Sequence, residues 1–208
     1  MFDGVFNTSM LKKAQEIGAV EFSYIDLRQY GIGPRKQVDD IPYGGGDGMV
    51  LRPEPIIAAI EDAKKQSPKA QVILPTPRGE LFNQGHATHI AKSVNDLIFV
   101  CPRYEGYDER ITDYVDSMFR VGNYVLTGGE LPVMTMIDAI VRLLPGVLGG
   151  ETSAEKESFM DSENYIEHPQ YTRPEEYKGK KVPNVLLSGN HAQIDAWRKQ
   201  HSQQIDQK

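Results

Sequence analysis

The chain has 208 residues, 39% of them hydrophobic and 25% charged, with a formal net charge of −6. That length supports one sizeable core with a small appendage, and the composition excludes wholesale disorder. The negative balance excludes a uniformly basic nucleic-acid-binding surface, so any RNA contact must come from local clusters. Candidates are Arg35-Lys36, Lys64-Lys65 and Lys178-Gly179-Lys180-Lys181, although the ordinary reading of such runs is a solvated face. The one cysteine, Cys101, has no partner for an intrachain disulfide. His86 and His89 lie three apart on a predicted helix but have no further ligand nearby, so no metal site is expected from spacing. The N-terminus carries no signal pattern, and no run approaches the ~20 apolar residues of a membrane-spanning helix. The expectation is a cytoplasmic protein with no membrane partner.

In chain order, Phe2 to Ile17 reads as a helix closed by Gly18. Val20 to Tyr24 alternates as a half-buried strand does. Arg28 to Met49 is a polar, Gly-rich connection, and one so long inside a compact domain is usually functional or mobile. Pro53 to Gln66 places Ile56, Ile57, Ile60 and Ala63 on one helical face, with Pro53 and Pro55 in the first turn. Val72-Ile73-Leu74 is a buried strand ended by Pro75, followed by a helical stretch to about Val94. Leu97 to Val100 and Val121 to Leu126 read as further buried parallel strands. Leu131 to Leu144 is a strongly apolar helix stopped by Pro145. Glu151 to Glu167 is an acidic linker, and Asn190 caps a final helix through Trp197 before a polar tail. Helices alternating with extended runs define an α/β fold with a largely parallel sheet. The expected division is a main domain at 1–148, an interdomain linker at 149–185 and a short C-terminal helical segment at 186–208.

Three glycine-bearing loops leave the C-terminal ends of predicted strands: Pro75 to Gly79, Pro102 to Gly106, and Thr127 to Pro132. In open parallel sheets the ligand crevice lies outside those ends, where glycine lets the backbone approach a ligand. Ordinary strand-to-helix turns would look the same. None is a GxGxxG or Walker sequence, which leaves a nucleotide-like cofactor held mainly by backbone groups. On the apolar helix, Thr135, Asp138 and Arg142 form a polar stripe at i, i+3 and i+7. Either Asp138 and Arg142 satisfy each other, or the guanidinium addresses a nucleobase oxygen. Tyr43-Gly44-Gly45-Gly46-Asp47-Gly48-Met49 is costly to order, which suits a loop ordered by substrate or one that is simply disordered.

Five strings, in order, resemble the bacterial tRNA (guanine-N1)-methyltransferases of the TrmD family: Val38 to Met49, Cys101 to Arg110, Val121 to Pro132, Gln170 to Pro174, and Leu186 to Ala192. The resemblance implies a SPOUT-type α/β domain with a deep trefoil knot, a rare exception to the rule against threaded chains. It implies S-adenosylmethionine as cofactor, held by Leu74, Pro75, Thr76 and Pro77 of the first loop and by Pro102, Tyr104 and Gly106 of the second. From the third come Val121, Gly122, Asn123, Tyr124, Val125, Leu126, Gly128, Gly129 and Pro132, with the adenine on the backbone of Val121 to Leu126. It further implies a homodimer with its active site between subunits, and a tRNA partner rather than DNA. The product that the resemblance implies is guanosine 37 methylated at N1, in a tRNA whose preceding nucleoside is also guanosine. Substrate contacts fall to Tyr43, Gly44, Gly45, Gly46, Ser158, Arg173, Ser188, Asn190 and His191.

N1 of guanine carries a weakly acidic proton that a base must remove, while a donor near O6 stabilises the developing charge. By the resemblance the donor is Arg142 and the base is the carboxylate preceding a Ser-Phe pair, an aspartate in the family and Glu157 here, before Ser158-Phe159. Asp161 and Glu167 share the acidic linker and are competing candidates. Magnesium is also associated with the family, with Glu105 as participant. The chain opens at Met1-Phe2 without the family's first strand, ends soon after the first helix of the expected C-terminal domain, and has Pro102 where glycine is common. Two rivals follow: a noncatalytic dimer that binds cofactor or RNA, and a ribose 2′-O-methyltransferase of the same superfamily.

Overall fold

Two short helices, α1 (Asp3–Phe6) and α2 (Ser9–Glu16), stand where the periodicity predicts one from Phe2 to Ile17. The break falls where the Thr8 hydroxyl donates to the Val5 carbonyl at 2.9 Å, a side-chain bond that competes with helix continuation. Gly18 does close α2: at φ +71° it lets its own N–H reach the Gln15 carbonyl and the Ala19 N–H reach that of Ala14. The computed structural model describes residues 1–149, 157–160 and 164–204. The chain divides into two compact units, Met1–Leu148 and Gly149–Lys208.

Val20 to Tyr24 is not a strand. Its alternation is real, since Phe22 stacks on Phe6 with ring centroids 4.3 Å apart, but it has no ladder partner. The polar connection that follows holds β1 (Asp39–Asp40), which pairs antiparallel with β2 (Val50–Leu51). Helix α3 (Pro53–Gln66) has the bounds its periodicity predicts.

The parallel sheet is built on β3 (Gln71–Leu81), flanked by β4 (Leu97–Phe99) and β5 (Ser117–Arg120) in the order β4-β3-β5, with α4 (Gln84–Ser93) following β3. Side chains alternate across β3. Val72 and Leu74 are buried with Ile56 and Ile60 of α3, while Ile73 is buried with Ala87 and Ile90 of α4 and with the following helix, α5 (Glu130–Val141). The sheet therefore lies between α3 on one face and α4 and α5 on the other.

Three expectations need correction. Pro75 does not end β3: the strand continues to Leu81, with Pro75 itself in register with Phe119 and a register shift between it and Glu80. Val121 to Leu126 is loop, and the strand is Ser117–Arg120 immediately before it. Helix α5 ends at Val141 with Arg142 as its C-cap, short of Leu144.

The second unit holds β6 (Tyr165–Ile166), a hairpin of β7 (Glu176–Tyr177) and β8 (Lys180–Lys181), and helices α6 (Asn184–Leu187) and α7 (His191–His201). Asn190 caps α7 as expected, its side chain accepting from the Gln193 N–H, but the helix runs past Trp197 to His201. The tail is not structureless: β9 (Gln203–Gln204) pairs antiparallel with β6. Trp197 packs on His201 at 4.1 Å and edges toward Tyr171 and His168. None of the described residues of this unit is buried.

Candidate active site

The register of β3 against β5 builds the first loop of the site. Pro75 and Glu80 both pair with Phe119, so Thr76 to Gly79 are extruded between them. Gly79 fits because it has no side chain, since an added Cβ would lie 2.5 Å from the backbone of Met118 and Phe119. Thr76, Pro77 and Arg78 are thereby turned into a cleft at the C-terminal end of the sheet.

The second loop begins after β4. Tyr104 takes φ +61° and Gly106 φ +117°, a left-handed turn that suits the glycine. The turn is tied to the Gly-rich segment: the Glu105 N–H donates to the Met49 carbonyl at 2.9 Å, the Leu51 N–H to that of Gly106, and the Asp108 N–H to that of Leu51. Gly48 lies against the Glu105 side chain, where an added Cβ would be 2.5 Å from its Cγ. Side chains then join the first and second loops. The Tyr107 hydroxyl donates to the nearly buried Thr76 Oγ1 at 3.0 Å, and Arg78 donates to the Tyr107 oxygen while pairing with Glu109. That pairing and Tyr107 hold the Arg78 guanidinium firmly in its charged form.

The third loop runs from β5 into α5. The Gly129 N–H donates to the Pro102 carbonyl at 2.7 Å, which clamps the start of α5 to the second loop. Arg103 pairs with Glu130 at 2.7 Å, and that carboxylate is only 13% exposed. Behind this wall burial pushes the Cys101 thiol up to about 12, with Glu130 adding to the shift, so the cysteine is not a nucleophile. The three loops enclose about 350 Å³, within the range of about 300–1,000 Å³ usual for small-molecule sites. The lining includes four prolines and four glycines, with a carboxylate at Glu105 and three arginines.

The family described as tRNA (Guanine-1)-methyltransferase TrmD matches residues 1–208. The chain belongs to this family. Among its relatives, proteins named tRNA (guanine-N(1)-)-methyltransferase from Staphylococcus aureus strains MRSA252 and JH9 are 54% and 53% identical over 206 residues. Each match covers 99% of this chain and 82% of the relative.

Most residues expected to hold a cofactor in this TrmD-family chain do line the cleft. Two do not: Leu74 is fully buried under it, and Asn123 lies outside the lining, bonded instead to Arg120. Glu105 is in the cleft, but among the described residues no three of His, Cys, Asp and Glu assemble as a metal site, so they do not by themselves build one for magnesium. Arg142 is not in the lining; at ~1.5 Å rise per residue it lies roughly 15 Å along α5 from Pro132. Tyr43 is fully exposed at 101%, and Gly44, Gly45 and Gly46 all take positive φ with open space around them.

In the second unit, Ser158 Oγ accepts from the Glu167 N–H at 3.1 Å. Arg173 lines a groove with Tyr171, Lys180 and Lys181. Ser188 and Asn190 spend their side chains on the turn between α6 and α7, with His191 exposed as the first residue of α7. Arg78, Tyr107 and Arg120 also stand in the cleft wall, where no sequence signal placed them. The first two lay inside strings already singled out, but nothing local marks a bond between residues 31 positions apart.

Proposed function

We propose that this chain methylates N1 of guanosine 37 in tRNA, next to the anticodon and after another guanosine, using S-adenosylmethionine. The observation that carries the reading is a glycine- and proline-lined cleft at the C-terminal ends of parallel strands, in a chain matched end to end by the guanine-1 methyltransferase family. The whole-chain match favours this activity over a ribose 2′-O-methyltransferase and over a noncatalytic dimer.

When bound, the cofactor supplies an electrophilic methyl group on a sulfonium. The backbone of Val121 to Leu126 would hold the adenine, and Glu105 brings a carboxylate to the same cleft. Glu157 takes the N1 proton, and Arg142 donates to O6 as negative charge develops there. The family's trefoil knot is part of this proposal, with the three cleft loops as its crossings, and so is a cytoplasmic location, where tRNA is the abundant substrate.

The separation of Arg142 from the cleft along α5 supports a homodimer in which one subunit's catalytic side chains serve its partner's cleft. Complementation tests this. Coexpressed Gly129→Val and Glu157→Gln subunits should regain up to half the wild-type activity in the heterodimer, because one of its two sites combines an intact cleft with an intact Glu157. Heterodimers without activity would show that each site is built from one subunit. For the activity itself, tRNA incubated with the protein and S-adenosylmethionine is digested and its nucleosides are identified by mass spectrometry. The expected product is 1-methylguanosine. A 2′-O-methylated nucleoside instead, or cofactor binding with no methylated product, would pass the assignment to one of the two rivals.

A further inference from the structure

Three arginines face the cleft, and two of them are paired with carboxylates, Arg78 with Glu109 and Arg103 with Glu130. Arg120 differs. Its Nε–H donates to the Asn123 Oδ1 at 3.0 Å and its Nη1 to the Gly79 carbonyl, and among the described residues no carboxylate pairs with it. It is the last residue of β5, in register with Leu81, and its own carbonyl accepts from the Phe82 N–H at 2.9 Å. One end of this link is therefore fixed. Gly79 also packs closely on β5, since an added Cβ would lie 2.5 Å from the backbone of Met118 and Phe119. The other end is a loop with few restraints of its own: Val121 to Leu126 lies outside any strand, and its one internal side-chain bond is a long contact from the Tyr124 hydroxyl to the Val121 carbonyl at 3.5 Å.

We propose that Arg120 is a positioning residue for the cofactor: its guanidinium staples Asn123 of the third loop to the Gly79 carbonyl of β3 and so sets the loop backbone that receives the adenine. This rests on the cofactor reading of the cleft. On this reading Asn123, which does not line the cleft, would act through the loop it anchors. A planar fork of donors can satisfy two acceptors in fixed directions at once, which a lysine ammonium does less well.

The test is a double-mutant cycle on the full chain, with S-adenosylmethionine affinity read by calorimetry and methylation read as single turnovers. Arg120→Ala and Asn123→Ala should each weaken cofactor affinity by about 10-fold, the scale of one hydrogen bond to a charged group. At saturating cofactor the rate should fall by less than about twofold, because the staple holds no reacting atom. The double variant should be no worse than either single one, since both remove the same link. Arg120→Lys should fall between alanine and wild type. Thermal melting of each variant separates this from loss of fold, and Asn123→Ala still reads the staple if Arg120→Ala does not fold. Unchanged affinity in either alanine variant, or additive losses in the double, overturns the staple alone. A wild-type chain that binds no S-adenosylmethionine overturns the cofactor reading, and the staple with it.

Discussion

Replacing Gly129 with valine is expected to weaken S-adenosylmethionine binding by about 100-fold, near the upper end of the ~1–3 kcal/mol that overpacking costs. Backbone strain is not the reason, because Gly129 has φ −76°, open to any residue. Space is the reason. A Cβ there would lie 2.5 Å from Pro102 Cδ and 2.8 Å from both Cys101 Cα and Pro102 N. These are ring and backbone atoms with no flexible tip to swing aside, so the second loop must move off α5 and the cleft must open. Gly128→Ala provides the contrast, since its Cβ would meet the Glu130 Oε2, the movable end of a side chain. Its loss of affinity should be markedly smaller. Calorimetry on the two variants decides the matter, and an unchanged affinity in Gly129→Val would remove these loops from the cofactor site.

The extent to which the sequence disclosed this site follows from which features are local. Helix α3 was legible to its ends because Pro53 and Pro55 mark its start and Ile56 and Ile60 its buried face. The cleft loops were legible because glycine and proline strings mark them. The strand preceding the third loop was not, since only Phe119 of Ser117 to Arg120 is buried, and the louder apolar string Val121 to Leu126 drew the reading forward. That string is largely solvent-facing, with Val125 85% exposed, which buried-strand logic could not anticipate. Val20 to Tyr24 failed for a related reason. Alternation reports burial on one side, whereas a strand also needs a partner edge. The extruded turn Thr76 to Gly79, and with it the Thr76–Tyr107 and Arg120–Gly79 bonds, depends on a register shift between β3 and β5 that neither segment encodes alone.

The catalytic base is the remaining question, and the turn around Glu157 makes its test specific. Downstream of it, the Ser158 Oγ accepts from the Glu167 N–H, the Phe159 N–H donates to the Tyr165 carbonyl at 2.7 Å, and the Met160 N–H donates to the Glu157 carbonyl. Phe159 takes φ +70° to allow this. The Ser-Phe pair thus ties the backbone next to Glu157 to Tyr165 of β6 and to Glu167. Glu167 is tied by its own N–H to Ser158, and its carboxylate accepts from Gln170 at 3.5 Å, so it serves the same turn. Asp161 lies outside the described residues. If Glu157 collects the N1 proton, Glu157→Gln removes the base while keeping the shape. The single-turnover methylation rate should then fall by roughly 10²-fold or more, the usual scale of general-base help, with cofactor affinity nearly intact. Asp161→Asn should do much less. Rates measured at saturating tRNA and cofactor separate the two, because a weaker tRNA contact at Glu157 would be recovered at saturation and a missing base would not. Full rate in the Gln variant, together with a collapse in the Asn variant, would transfer the role to Asp161 and shift the linker's alignment by four residues.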